Sequence, residues 1–299
     1  GLSDKITLLR GFSTMVDLPQ RVDCVVHEII GNIATEEGMN LVLADAQKRF
    51  LRRNWESSSD CPPSIPARVQ TLAVPVSVPK DIKDYKGSTC FKKRGCFKVL
   101  SASRSWELSK PQAIEDIHFN QKVQTSDKRS VLFEIKSDCE INGFLVYVDA
   151  YVDQHSAFTT WRAGDEPELK QTPPQLHDDD DDDDDDDDND DDESKDHQNK
   201  KAVLPATRNW QMVLVNFGKL IKAKKGQTIR LQFQSDLHTY PSSYRFEADV
   251  FGGVEREDGQ NTQQQKKKNL HSSADNLEHS STLQKLHSFG DPIDLRGAY

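Results

Sequence analysis

The sequence lacks the signatures of several protein classes. No Gly-x-Gly segment occurs in its 299 residues, so it contains no glycine-rich turn of the kind that carries a nucleotide phosphate. Its five cysteines are an odd number without a C-x-x-C pair, which disfavours a disulfide framework and a zinc site. No apolar run approaches the roughly 18 residues of a membrane-spanning helix, and no signal-peptide pattern is visible. We therefore expect no membrane partner, no metal, and a reducing compartment, cytoplasmic or nuclear.

The negative charge of the chain is concentrated in one place. The formal net charge is −10, and Asp178–Asp188, Asp190–Asp192 and Glu193 contribute fifteen negative charges. Without them the remainder would carry +5. This pattern predicts a mildly basic folded part with a disordered acidic insertion at about 164–204. A solvated surface insertion is the simpler interpretation. The alternative is a segment that attracts basic partners such as histone tails by long-range electrostatics.

The N-terminal fifth of the chain has the pattern of an α/β domain. Residues 5–11 are a predicted short strand, and the continuous apolar run at 22–26 is typical of a strand buried on both faces of a parallel sheet. Apolar spacing over 36–51 predicts a helix. Residues 65–78 alternate and contain prolines, which favours an edge or barrel strand. We interpret 1–64 as the C-terminal part of an α/β domain.

The middle of the chain is predicted to be β structure, a barrel or sandwich over 65–252. Residues 80–110 look irregular, and 110–119 look like a connector. Strands are predicted at 131–138, 141–152, 158–161, 209–218, 227–236 and 244–252. Residues 253–299 are rich in Gln, Ser, His and Lys and are predicted to be a disordered tail, with a weak nuclear signal at 266–268.

Glu28 and Glu37 are the candidate catalytic residues. Glu28 directly follows a predicted strand, Gly31 permits a sharp loop, and nine positions later Glu37 can return to the same point. Two neighbouring carboxylates repel each other, and a cation between them removes the conflict. A guanidinium fits best, because its parallel N–H groups match carboxylates bidentately. Carboxylates bound to some of its nitrogens leave another nitrogen freer to attack an electrophile.

The spacing alone leaves other interpretations open. Glu28 could cap a loop, and Glu36 with Glu37 could be an ordinary acidic pair in the first turn of a helix. Carboxylate pairs also serve glycoside hydrolysis and metal binding.

The stretch HEIIGNIATEEG, residues 27–38, resembles the double-glutamate loop of the protein arginine methyltransferases. That family's pattern is Ser-Glu, two apolar residues, Gly, and a second Glu nine positions after the first. Glu28, Gly31 and Glu37 match it, and His27 stands in the place of the Ser. Other segments resemble the family in the same order along the chain: 9–23, 65–70, 108–119, 141–152, 158–161 and 224–231.

The resemblance implies a fold and a reaction. The fold is α/β + β: a partial Rossmann-like class I methyltransferase domain followed by a β-barrel domain. The reaction is methyl transfer from S-adenosylmethionine to a guanidinium nitrogen of protein arginine, with Glu28 and Glu37 as the guanidinium clamp. Asn209 and Trp210 would line the arginine channel with Gly31 nearby, where the family has Thr-His-Trp in place of Arg208-Asn209-Trp210.

The resemblance also implies a cofactor site and partners. Ser13, Thr14 and Met39 would lie beside the cofactor, although the family has an acid near Ser13 and Thr14. Because the glycine-rich cofactor turn is absent, we expect an upstream cofactor half to be missing and this chain alone to bind S-adenosylmethionine poorly. Residues 80–107 occupy the place of the family's dimerisation arm, so a homodimer is implied. The expected partners are arginine-containing basic proteins and not nucleic acid. The alternative function is an inactive scaffold that binds basic proteins through its aspartate-rich insertion.

Overall fold

The computed structural model describes residues 2, 4–55, 63–124, 126–153, 156–162, 211–253 and 283–296. The elements follow in the order β1 (Val25–Val26), α1 (Met39–Arg49), β2 (Ser64–Ile65), β3 (Arg68–Val76), β4 (Arg94–Val99), β5 (Gln112–His118), β6 (Ser126–Glu134), β7 (Cys139–Tyr151), β8 (Ala157–Thr159), β9 (Met212–Ala223), β10 (Thr228–Asp236), β11 (Ser243–Gly253), β12 (Leu283–Ser288) and β13 (Ile293–Arg296). No helix in the described ranges has the length and apolar character needed to cross a membrane.

Two antiparallel sheets make up most of the described chain. One has the order β4-β9-β7-β3-β5, with β8 also paired to β7, and the other has the order β12-β11-β10-β6, with β13 also paired to β11. Alternate residues of β10, including Ile229, Leu231 and Phe233, point into the core between the sheets. Since β5 lies beside β6 and β13 beside β4, the sheets approach each other at both edges in a barrel-like arrangement.

The N-terminal part shares a core with these sheets. β1 pairs in parallel with β2, which leads directly into β3. The loop before α1, the helix and the barrel strands contribute to one apolar cluster: Ile30, Ala34, Met39, Leu43, Val69, Phe119, Val148 and Ala150. Burial of these side chains fixes the helix and the loop that precedes it against β3 and β7.

The predicted helix is confirmed with shorter bounds, Met39–Arg49. It begins after Gly38, whose φ of 76° is in the left-handed region. A side chain there would also meet the Tyr240 ring, because a Cβ would lie 3.0 Å from it. Glu37 therefore lies just before the helix. The alternative that the sequence offered, a place for Glu37 in the first turn of the helix, is wrong. Lys48 and Arg49 lie in the last turn, where positive charge complements the helix dipole.

Two predictions for the N-terminal part are wrong. Residues 5–11 form no strand, because no described segment pairs with them, and Leu8 is 90% exposed. The strand predicted at 22–26 is reduced to Val25–Val26. It is not buried on both faces, because its pairing partner among the described strands is β2 alone and Val26 is 73% exposed.

Predictions for the middle of the chain also need correction. Of the two alternatives predicted for residues 65–78, the edge strand is wrong and the barrel strand fits, because β3 lies between β7 and β5. Pro75 is tolerated because β5 pairs with β3 only as far as Ala73, so the missing N–H of Pro75 interrupts no bond to β5. Residues 110–119 contain β5 rather than a connector, and the irregular stretch 80–110 contains β4.

The prediction of a disordered tail over 253–299 is wrong for residues 283–296. β12 and β13 both pair with β11. Between them Phe289 is fully buried, with its ring centroid 4.9 Å from that of Phe217 and 6.0 Å from that of Phe144. Lys219 Nζ donates to the carbonyl of Ser288 at 3.0 Å. The rest of the tail and the predicted acidic insertion lie outside the described residues.

We predict that Phe289→Ala lowers the free energy of unfolding by about 3–5 kcal/mol, because it removes a buried ring and leaves a cavity. Leu286→Ala is the matched control on β12, since Leu286 is 40% exposed, and it should cost about 1 kcal/mol. Urea denaturation of the three proteins measures both values. Equal, small losses would contradict the docking of this segment.

Candidate active site

The double-glutamate loop, residues 28–37, connects β1 to α1 and carries three acidic side chains. Glu28 and Glu37 are exposed, whereas Glu36 is only 2% exposed. Solvent and a ligand can therefore reach the two predicted catalytic residues, while the third acid belongs to the interior of the loop.

Glu37 is electrostatically coupled to Glu28. Partial burial raises the pKa of the Glu37 carboxyl, and the negative charges of Glu28 and Glu36 raise it further. The cation of Lys98, on β4, acts in the opposite direction and lowers it. The charges that act on Glu37 thus include Glu36, which the sequence offered only as an ordinary acidic neighbour, and Lys98, which it did not single out.

Gly31 is needed because the loop folds tightly around Glu36. A Cβ on Gly31 would lie 2.5 Å from Glu36 Cβ and 2.9 Å from the Ile33 carbonyl oxygen. Asn32 donates its backbone N–H and its Nδ2 to Glu36 Oε2, at 3.0 and 3.1 Å. The requirement for glycine thus comes from close approach. Gly31 shapes the loop, and its predicted role beside the substrate stays a prediction.

The loop also contacts the chain that enters β9. The backbone N–H of Gln211 donates to Asn32 Oδ1 at 2.8 Å. Asn209 and Trp210, the predicted channel residues, immediately precede Gln211 but lie outside the described residues. Their part in a substrate channel therefore stays a prediction.

A buried polar cluster lies beneath the loop. Glu115, on β5, is 2% exposed and accepts hydrogen bonds from Thr35 Oγ1, at 2.6 Å, and from Thr71 Oγ1. Thr35 Oγ1 also lies 2.8 Å from Tyr244 Oη. Burial raises the pKa of Glu115 to about 7, against the opposing effect of the two hydroxyl donors. Burial, with the Glu115 charge second, also raises the pKa of Tyr244 well above its ordinary value.

His27 is neutral at neutral pH, because burial lowers its pKa to about 4. Its ring meets the Phe119 ring edge-on at 5.2 Å between centroids. Neither ring nitrogen has a hydrogen-bond partner among the described residues. His27 therefore adds no charge beside Glu28.

The predicted cofactor residues are not gathered into one pocket. Ser13 and Thr14 are exposed, whereas Met39 is fully buried in the apolar cluster behind the loop. These three residues do not by themselves form a site that fits S-adenosylmethionine. The cofactor role of these three residues stays a prediction. Within the described ranges no group of three or more His, Cys, Asp or Glu side chains could hold a metal ion.

Among the solved structures that are similar to this chain are two protein arginine methyltransferases. One is the protein arginine methyltransferase 1 enzyme–prozyme heterotetramer of Trypanosoma brucei with AdoHcy, at a TM-score of 0.57 and 11% identity over 99% of this chain and 75% of that one. The other is protein arginine methyltransferase 10 of Arabidopsis thaliana in an open conformation, at a TM-score of 0.51 and 12% identity over 82% and 70%.

Sequence comparison adds no further relative, because no family model and no curated protein matches the chain. At 11–12% identity the structural likeness concerns the fold. The chain therefore has a protein arginine methyltransferase-like fold, as the double-glutamate loop and the order of the barrel segments indicated.

We predict that Glu28→Gln and Glu36→Gln each lower the pKa of Glu37 toward its ordinary value, because each removes a negative charge that disfavours ionisation. NMR titration of the Glu37 side-chain carboxyl measures this directly. Glu140→Gln, the same change at an exposed position on β7, should leave the titration unchanged. An unchanged Glu37 titration in Glu28→Gln would contradict the convergence of the pair.

We also predict a pH effect on stability from Glu115. Between about pH 4.5 and 7 the folded protein binds more protons at Glu115 than the unfolded chain does. The free energy of unfolding contributed by this group therefore falls as the pH rises through that window, by up to roughly 3 kcal/mol. Glu115→Gln cannot titrate, so its stability relative to wild type should improve over the same range in urea denaturation. A constant difference between the two proteins would refute the raised pKa.

Proposed function

We propose that the protein is a protein arginine N-methyltransferase that transfers a methyl group from S-adenosylmethionine to a guanidinium nitrogen of a protein arginine. Glu28 and Glu37 bind the guanidinium. The observation that carries this proposal is the convergence of these two exposed carboxylates on one loop of a protein arginine methyltransferase-like fold.

The proposal rests on the charge balance of the site. The negative charges of Glu28 and Glu36 raise the Glu37 pKa, so a cation that binds there relieves the repulsion. A guanidinium offers parallel N–H donors to two carboxylates at once, which a compact ammonium does not. The pair therefore favours arginine over lysine.

The carboxylates also prepare the guanidinium for reaction. Arginine is always protonated in water, and its delocalised charge makes the nitrogens poor nucleophiles. Hydrogen bonds from two nitrogens to Glu28 and Glu37 hold positive charge on that side and leave the third nitrogen freer to attack an electrophile. S-adenosylmethionine would supply the methyl group when it is bound. Glu36 Oε2 is occupied by Asn32, so Glu36 contributes charge and loop shape and does not bind substrate.

The proposed substrates are basic, arginine-containing proteins, including histone tails, in the cytoplasm or nucleus. The aspartate-rich stretch would concentrate such partners near the site by long-range attraction, which weakens as salt increases. The Trypanosoma brucei neighbour is a heterotetramer, and we propose that this chain also works as an oligomer, with a homodimer as the simplest form.

A second candidate function is a scaffold without catalysis, favoured by the fifteen negative charges between Asp178 and Glu193 and by the absence of Gly-x-Gly from the sequence. Calorimetry with S-adenosylmethionine and the full-length gene product separates the candidates. A methyltransferase binds the cofactor, whereas a scaffold binds only basic peptides, and it does so in a salt-sensitive way.

We predict that Glu28→Gln and Glu37→Gln each reduce kcat/KM for methylation of an arginine peptide by about a hundredfold or more, because each removes one charged side of the clamp. The assay uses the full-length gene product, labelled S-adenosylmethionine and a matched lysine peptide as the negative substrate. Glu140→Gln is the control variant and should retain wild-type activity. Full activity in Glu28→Gln would overturn the proposed function.

A further inference from the structure

We infer that Glu115 is a positioning residue for the double-glutamate loop: its carboxylate, acting through Thr35 and Thr71, holds the loop in the shape in which Glu28 and Glu37 converge. This inference rests on the proposed function for its catalytic consequence. Its structural content, a latch between the loop and the barrel, can be measured without activity.

The latch joins the loop to strands that are remote in sequence. Glu115 and Thr71 face each other across the β3–β5 pair. The Glu115 carboxylate accepts the Thr71 hydroxyl, and it reaches the loop by accepting the Thr35 hydroxyl at 2.6 Å. Thr71 Oγ1 reaches the loop a second time, because it accepts the backbone N–H of Ala34 at 3.0 Å. The two residues before Glu36 are thus bound to the six-stranded sheet at two points.

The other sheet holds the same segment. Tyr244, on β11, lies 2.8 Å from the Thr35 hydroxyl, and Ser242 Oγ donates to the Thr35 carbonyl at 3.3 Å. Thr35 is only 1% exposed. Because Glu36 and Glu37 follow Thr35 directly, any movement of Thr35 is passed to the acidic side chains.

The hydrogen bonds of the cluster use every hydroxyl hydrogen when Glu115 is ionised. The Thr35 and Thr71 hydroxyls each have one hydrogen, and both are donated to Glu115. Thr35 Oγ1 is then an acceptor, so the neutral Tyr244 hydroxyl donates to it.

Protonation of Glu115 changes the directions of these hydrogen bonds and does not break them. A neutral carboxyl donates its own hydrogen to one of the two threonines, whose hydroxyl hydrogen then turns to another acceptor. Thr71 Oγ1 has two lone pairs and can accept this hydrogen together with the Ala34 N–H. The other charged groups that act on Glu115 are Asp127 and Arg129, both on β6, and they influence its pKa in opposite directions. The latch therefore rests on the contacts to Thr35 and Ala34 and not on one protonation state of Glu115.

Glu115→Gln is the sharpest test, because the amide keeps the shape of the carboxyl but replaces one acceptor oxygen with a donor. Glu134→Gln, an exposed glutamate on β6, is the matched control. Thr35→Val removes the loop hydroxyl at nearly constant volume, and Thr35→Ser retains it.

The first readout is amide hydrogen exchange of the loop, which needs no activity. The N–H of Glu36 is bonded to the Ile33 carbonyl, and the N–H of Gly38 to the Thr35 carbonyl. We expect their protection factors to fall at least about tenfold in Glu115→Gln and Thr35→Val, with β10 amides unchanged. Thr35→Ser should stay close to wild type.

The second readout is kinetic, with the full-length gene product. Glu115→Gln and Thr35→Val should each lower kcat about tenfold or more with a smaller change in KM, because the clamp is misplaced and not removed. The double variant should be no worse than either single variant, since both changes break the same network. A role in packing alone would give additive losses of stability and no rescue by Thr35→Ser.

The outcomes separate the two hypotheses. Unchanged loop protection in Glu115→Gln overturns the latch, even where Glu28→Gln abolishes methylation and the proposed function stands. Reduced loop protection in Glu115→Gln supports the latch. If the wild-type protein at the same time cannot methylate arginine, the proposed function is overturned. Reduced protection together with reduced kcat supports both.

Discussion

The fixed placement of the double-glutamate loop between two sheets is the constraint on which the proposed chemistry depends. The loop is short, yet it is tied to the barrel by apolar and polar contacts. Ile30 and Ala34 share a cluster with Val69 and Val148, while Thr35 contacts Glu115 and Tyr244. Carboxylates that must share one guanidinium need such support, because like charges separate unless their backbone is held.

The same support imposes an energetic conflict. Glu115 is buried and makes no direct salt bridge with a described residue. Its charged form is therefore desolvated, and two hydroxyl donors recover only part of that cost. Glu36 is buried too, and backbone and amide N–H donors from Asn32 serve it. A barrel chosen for stability alone would place apolar residues at these positions. Acidic residues at both positions indicate that the shape and charge of the loop outweigh the stability they cost.

Local sequence patterns predict much of the fold. They do not predict most of the contacts that hold the double-glutamate loop against the barrel. Alternation predicts β7, β9, β10 and β11, and apolar spacing predicts α1, because one face of each element is buried. β5 escaped prediction because Glu115 and Asp116 interrupt its apolar face. The pair Glu28 and Glu37 is visible from its spacing within one loop. Thr35 and Glu115 are 80 positions apart, and only the pairing of β3 with β5 brings Thr71 between them, so no local pattern could connect them.

The C-terminal segment escaped prediction because its composition is that of a polar tail, and a single phenylalanine carries its burial. Its position in the chain has a consequence for synthesis. Phe217 and Phe144 emerge from the ribosome well before Phe289, which completes their packing. Until β12 and β13 have been made, the edge of β11 that they cover and this aromatic pocket stay exposed. The nascent protein therefore passes through a partly folded state with an unpaired strand edge and an exposed aromatic pocket. Chaperones or neighbouring chains can bind these surfaces in competition with the segment that carries Phe289.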